Sequence, residues 1–151
     1  MKAFEMPHVN DLWQIDTTHG PYLTVNGKQR KVYIIAIIDD ASRFLVGYGV
    51  YWEDNALNVQ DTLRRAILTY GVPKTLYADN GAPYVDKQLK LIGARLGFAV
   101  RHTKPYRGNQ KGKIERWFGV MKQQWLRDLD GTTFSSLESF YNAFATYVVD
   151  R

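Results

Sequence analysis

Three carboxylates stand out by type and surroundings. Asp16 closes the run Leu12-Trp13-Gln14-Ile15-Asp16, and Asp79 closes Tyr77-Ala78-Asp79 ahead of Asn80-Gly81. Glu115 lies in Lys111-Gly112-Lys113-Ile114-Glu115-Arg116-Trp117, the basic beginning of a helix. Between Asp79 and Glu115 lie 35 residues. An acid at the end of an apolar run is costly to bury unless it is paired or bound to metal. Adjacent strands lie about 4.8 Å apart, so two strand-borne acids can converge. Three ionised carboxylates at one place repel one another, and a divalent cation removes the repulsion. Carboxylate oxygens without cysteine or clustered histidine favour a hard ion, Mg²⁺ or Mn²⁺. Two such ions about 3.5–4 Å apart can activate the attacking oxygen and stabilise the leaving one in a phosphodiester displacement.

Taken singly, each acid has a plainer reading. Asp16 can be a strand-end turn former, and Asp79 in Asp-Asn-Gly can be turn chemistry alone. Glu115 can be a first-turn acid that the helix dipole favours. Asp39 and Asp40 are rival carboxylates, although Asp39-Asp40-Ala41-Ser42 fits a hairpin turn better. His19 and His102 could support the acids from behind, but read more simply as surface or loop histidines. Trp117 and Trp125 share an apolar stripe and fit core packing better than base stacking.

The charge is unevenly placed. The chain of 151 residues has a formal net charge of +5, yet residues 101–127 hold eight Lys or Arg against one acid, Glu115. Such a stretch points to a polyanion partner; the competing reading is a solvated basic face. The expected nucleic-acid contacts are Arg107, Lys111, Lys113, Arg116 and Lys122. Lys111 precedes Glu115 by four residues, and Lys122 follows it by seven, two helical turns along the same face. The absence of cysteine excludes a disulfide scaffold and a thiolate metal site. The longest apolar run, Val32 to Ile38, is too short to span a membrane, and the first residues show no signal-peptide pattern. A cytoplasmic protein with no membrane partner is the expectation.

The elements that must position the acids follow from periodicity. Residues 1–10 read as the tail of a linker, and 11–151 as one domain. Asp11 to Thr18 alternates as a strand, with Leu12, Gln14 and Asp16 on one face, and His19-Gly20-Pro21 breaks it. Tyr22 to Val25 continues as a short strand, and Asn26-Gly27 is a two-residue hairpin signal. Lys31 to Ile38 is apolar on both faces and reads as a central strand; Phe44 to Trp52 returns as a third, with Gly47 and Gly49 open to bending or close approach. Val59, Leu63, Ala66, Ile67 and Tyr70 then fall at helical spacing, capped by Asp54 or Asn55 and ended by Gly71 and Pro73. Thr75 to Ala78 is a short buried strand. Asp86 caps a second helix with Leu89, Ile92 and Leu96 inward, and Phe98 to Thr103 is a fifth strand. The stretch Tyr106 to Gly112 is expected to be the least ordered internal segment. A helix from about Gly112 to Leu129 carries Glu115 beside the stripe Ile114, Trp117, Phe118, Met121 and Trp125. A last helix follows a Ser135–Glu138 capping box. The order βββαβαβαα gives a five-stranded mixed sheet flanked by helices.

Two strand-end aspartates and a helix-borne glutamate at this spacing resemble the signature of the DDE transposases and retroviral-type integrases. Leu12-Trp13-Gln14-Ile15-Asp16, Asp39-Asp40-Ala41-Ser42-Arg43, Ala78-Asp79-Asn80-Gly81 and Lys111-Gly112-Lys113-Ile114-Glu115-Arg116 each look like stretches of bacterial insertion-sequence transposases. The resemblance implies a ribonuclease H-like α/β fold and Asp16, Asp79 and Glu115 as a catalytic, metal-binding triad. It implies Mg²⁺ or Mn²⁺, two ions in the DNA-bound state. The activity implied is that of a polynucleotidyl transferase acting on DNA, with cleavage at an element end and then strand transfer into target DNA. A homodimer or higher multimer is implied as the active form. A nuclease of the same fold that hydrolyses nucleic acid without strand transfer is the alternative, and a core that only binds DNA is a third reading.

Overall fold

A long antiparallel hairpin sets the frame. In the computed structural model, which describes residues 8–103 and 112–150, strand β1 (Leu12–Val25) turns through Asn26-Gly27 into β2 (Lys28–Asp39). Both turn residues have positive φ, 52° and 77°, the geometry that Asn-Gly tolerates and that matches the twist of the flanking strands. The expected break at His19-Gly20-Pro21 is instead a register shift within one continuous strand. Proline lacks the N–H that a ladder bond needs, so the pairing slips locally and resumes at Tyr22 with Lys31.

Strand β3 (Leu45–Tyr51) pairs antiparallel with β2, and β4 (Thr75–Ala78) and β5 (Ala99–His102) join parallel on the other side. The sheet order is β3-β2-β1-β4-β5, so β1 is central; its Asp16 pairs with Ala36 of β2 on one side and lies just past the ladder with β4 on the other. Helices α1 (Ala56–Tyr70) and α2 (Lys87–Leu96) carry the crossovers to the parallel strands. Asn55 and Asp86 cap them, accepting from the amides of Asn58 and Gln88. α1 lies so close to β3 that a Cβ on Gly47 would meet the Ala66 methyl at 2.8 Å.

Two apolar cores lie on the two faces of the sheet. Trp13, Ile15, Ile35, Ile37 and Leu76 pack under α1 and α2. Leu23, Val32, Ile34, Ala36 and Ile38 pack under α3 (Gly112–Met121) and α4 (Leu137–Asp150). Alternation along β1 therefore sends Trp13 and Ile15 to one face, and Gln14 and Asp16 to the face that α3 covers.

Three local expectations are corrected. Leu96 is exposed, because Phe98 folds back beneath Gly93 and fills that part of the core. The helix that carries Glu115 is α-helical only to Met121 and continues as one wide turn over Lys122–Leu126, closed by the Arg127 amide on the Lys122 carbonyl. The cap of α4 is Ser136, whose Oγ accepts from the Ser139 amide while Ser139 Oγ donates back to the Ser136 carbonyl; Ser135 and Glu138 do not form the box. The tryptophans sit as the stripe predicts: Trp117 is buried, and Trp125 stacks on Tyr147 at 5.5 Å. Of the expected mobile stretch, only Gly112 lies within the described residues, as the first residue of α3.

Candidate active site

The site is built where the short parallel strand β4 ends beside β1. β1 and β4 pair as far as Gln14 opposite Tyr77; Asp16 lies two residues further along β1, and Asp79 is the first residue past the end of β4. Leu76 and Ala78 belong to the core under α1 and α2, so alternation turns Tyr77 to the other face, the one Asp16 shares, and Asp79 follows in the turn after β4. Both acids are half-buried. Asp16 accepts a hydrogen bond from the Thr17 amide at 2.9 Å, and Asp79 accepts from the Gly81 amide at 2.8 Å. Asp79 is thus both the turn former that Asp-Asn-Gly suggests and an acid close enough to share the neighbourhood of Tyr84 with Asp16.

The field of these acids is felt nearby. Burial pushes the Tyr84 hydroxyl well above the ordinary phenol range; a bond with Thr17 Oγ1 opposes this, and the charges of Asp16, Asp54 and Asp79 add to it. Burial also raises the Asp54 carboxyl, helped by the negative charge of Asp79 and opposed by Thr17 and His19. His102 has a lowered pKa, from burial and then from Lys90, with Asp79 acting the other way. Its Nε2 donates to the Tyr84 carbonyl at 2.9 Å, which ties β5 to the segment after Asp79. His19 stacks obliquely on Tyr33 at the surface.

Glu115 is exposed in the first turn of α3, on the sheet face that Asp16 shares. It is not drawn into contact with the aspartates: among the described residues no group of three His, Cys, Asp or Glu side chains is close enough to cage an ion. The fit to a hard cation is carried by one acid within β1 and one in the turn just after β4, with the third on a helix at the face Asp16 shares.

The rival acids have other work. Asp39 caps its turn, accepting from the Ser42 amide and hydroxyl at 2.8 Å each and from the Asn10 amide at 2.7 Å. Asn10, at the end of the expected linker, is therefore stitched to the sheet. Asp40 is fully sealed from solvent and accepts from Gln14 Nε2 at 2.7 Å and from Lys113 Nζ at 3.0 Å. Lys113, expected among the cations facing nucleic acid, is only 6% exposed and spent on Asp40. A long cation placed at a buried carboxylate neutralises it internally and is withdrawn from any phosphate. Arg116 and Lys122 are exposed; Arg107 and Lys111 lie outside the described residues.

Residues 6–108 match the family described as Integrase core domain. The chain belongs to the integrase core domain family. The matched span includes Asp16 and Asp79 and stops short of Glu115. The transposase for transposon Tn552 of Staphylococcus aureus is 29% identical over 91% of this integrase core, which spans 32% of that relative's length. The BIV integrase catalytic core superposes with a TM-score of 0.60 at 26% identity, covering 76% of this chain and 68% of that one. The HTLV-2 integrase catalytic core in its dimeric form with magnesium superposes at 0.62, with 20% identity, over 76% of this chain and 69% of that one. The fold is the ribonuclease H-like fold of these cores. No helix among the described residues is long and apolar enough to cross a membrane.

Gln14, Tyr84 and Asp54 are the site neighbours that residue types did not single out. For Gln14 a signal exists, its place two residues before Asp16 on the same strand face. For Tyr84 and Asp54 the proximity arises from chain segments that only the folded sheet brings together.

Proposed function

We propose that this chain is the catalytic core of a DNA transposase or integrase, a metal-dependent polynucleotidyl transferase that cleaves a DNA strand at an element end and joins it to target DNA. The observation that carries the reading is the parallel pairing of β1 with β4, which brings Asp16 and Asp79 so near each other that both charges act on the Tyr84 hydroxyl. In this reading Asp16, Asp79 and Glu115 hold Mg²⁺ or Mn²⁺. Bound there, the ions supply activation of the attacking oxygen and stabilisation of the leaving one. Asp16 offers its carboxylate from within β1, where it pairs with Ala36 of β2, and Asp79 from the turn just after β4. Glu115 completes the ligand set from the α3 side once DNA is bound. Arg116 and Lys122 neutralise backbone phosphates without reading bases. The Tn552 relative is a transposase and the HTLV-2 core was solved with magnesium in a dimeric form, which supports DNA as substrate, the hard ion and a multimer as working form.

The test is an oligonucleotide assay with Mg²⁺ or Mn²⁺ that scores cleaved and joined products separately. Joined product that disappears in Asp79→Asn is expected. Cleaved product without joined product would turn the reading into that of a nuclease. Products unaffected by Asp79→Asn would overturn the site.

A further inference from the structure

The Gln14 side chain makes a bridge that the triad itself does not require. Its Oε1 accepts from the Ile114 amide at 3.2 Å, and its Nε2 donates to Asp40 at 2.7 Å. Only this orientation of the amide matches an acceptor to an N–H and a donor to a carboxylate. Gln14 is 1% exposed, so both bonds form away from competing water. Lys113 closes the loop, giving its ammonium to the Asp40 carboxylate at 3.0 Å and to the Asp40 carbonyl at 2.8 Å. The strand residue two before Asp16 is thereby fastened to the helix residue one before Glu115. Ile114 is the third residue of α3, so its amide is one of the donors that no helical carbonyl can satisfy.

We propose that Gln14, held by the Asp40–Lys113 pair, is a positioning residue that sets the first turn of α3, and with it Glu115, against Asp16. This rests on the reading of Asp16, Asp79 and Glu115 as the metal-binding acids. Gln14 touches no reacting atom in this account. It fixes where the helix begins relative to the strand, and the span from Asp16 to Glu115 follows from that. Asp40 and Lys113 keep the glutamine amide from rotating, because the carboxylate takes only its NH₂ end. Asp16 is set by the sheet and Asp79 by the turn after β4, so loss of the bridge leaves both in place and frees only Glu115.

The test uses Gln14→Met, similar in length and able to make neither bond, with Gln14→Leu as a second variant should the first fold poorly. Amide exchange on the metal-free protein is the first readout: the Ile114 amide is expected to exchange at least tenfold faster, while the amides of Trp117 to Met121 keep their rates. The second readout is strand transfer with Mn²⁺. A tenfold or larger loss in kcat is expected with KM for DNA within twofold, and Gln14→Met is expected to add no further loss to that of Glu115→Gln. An unchanged Ile114 amide, or a loss that multiplies with that of Glu115→Gln, would overturn the proposal. A wild type with no metal-dependent activity would sink the functional reading instead, and the exchange readout would still decide whether Gln14 holds α3.

Discussion

The Lys113 ammonium lies 3.0 Å from the Asp40 carboxylate with the two side chains 6% and 0% exposed. The charges neutralise each other inside the protein, where neither can be left alone. Lys113→Met would strand a buried carboxylate, and removing one partner of such a pair typically costs about 3–5 kcal/mol. Adding Asp40→Asn is expected to restore much of that stability, because a neutral amide can still accept from nearby donors. Urea unfolding of the single and double variants checks this; equal stability of the single variant and wild type would mean that the pair is not closed in solution.

The metal prediction separates the three acids. Asp16 lies in β1 and Asp79 directly after β4, the strand paired with it, whereas Glu115 is exposed on α3. Calorimetry without DNA is expected to show Mn²⁺ binding that Asp79→Asn abolishes and Glu115→Gln changes by no more than a few-fold. Mn²⁺ should also raise the Tm of wild type by relieving the repulsion between the two acids, and leave Asp79→Asn unmoved. Equal loss in both variants would mean that Glu115 is already at the ion before DNA arrives.

How much of this was legible in the sequence depends on distance along the chain. Asn55, Asp86, the Asn26-Gly27 turn and the short β4 follow local rules of capping, turn geometry and alternation, and they fall where those rules put them. The approach of Asp16 to Asp79 needs only that β1 and β4 be neighbours. The role of Lys113 was not legible, because its partner Asp40 is 73 residues away and the amide that Gln14 accepts from is 100 residues away. Composition marks a basic stretch but not which of its cations turns inward. The wide turn at Lys122–Leu126 likewise comes from fitting Trp125 among Phe140, Phe144 and Tyr147, a tertiary demand that overrides the 3.6-residue period.

His102 gives a pH dependence with a definite sign. Its pKa is lowered from the ordinary 6.5, chiefly by burial and then by Lys90. The unfolded chain therefore takes up this proton more readily than the folded one. Stability from neutral His102 is present above about pH 6.5 and is lost as pH falls through its depressed folded value. The group is only half-buried, so the effect is small. Thermal melts from pH 7.5 to 5 should show a shallower fall in Tm for His102→Gln than for wild type. Parallel curves would assign the acid sensitivity elsewhere.

The DNA prediction rests on which cations are free to meet phosphate. Lys122 is exposed and lies two turns after Glu115 on the same side of α3, because the wide turn begins only at Lys122 itself. A strand whose phosphodiester sits at Glu115 runs past it. Lys113 is nearer to Glu115 in sequence but is sealed against Asp40. Lys122→Ala should therefore weaken DNA binding alike for different sequences, and reduce the slope of log affinity against log salt by about 0.9 on duplex DNA, one counterion's worth. The double variant Lys113→Met with Asp40→Asn removes no net surface charge and should leave that slope unchanged while it still folds. Binding isotherms across a salt series, on two unrelated duplexes, measure both. A slope that falls in the Lys113 variant and stays in Lys122→Ala would reverse the assignment, placing the inward lysine on the DNA and the outward one on solvent.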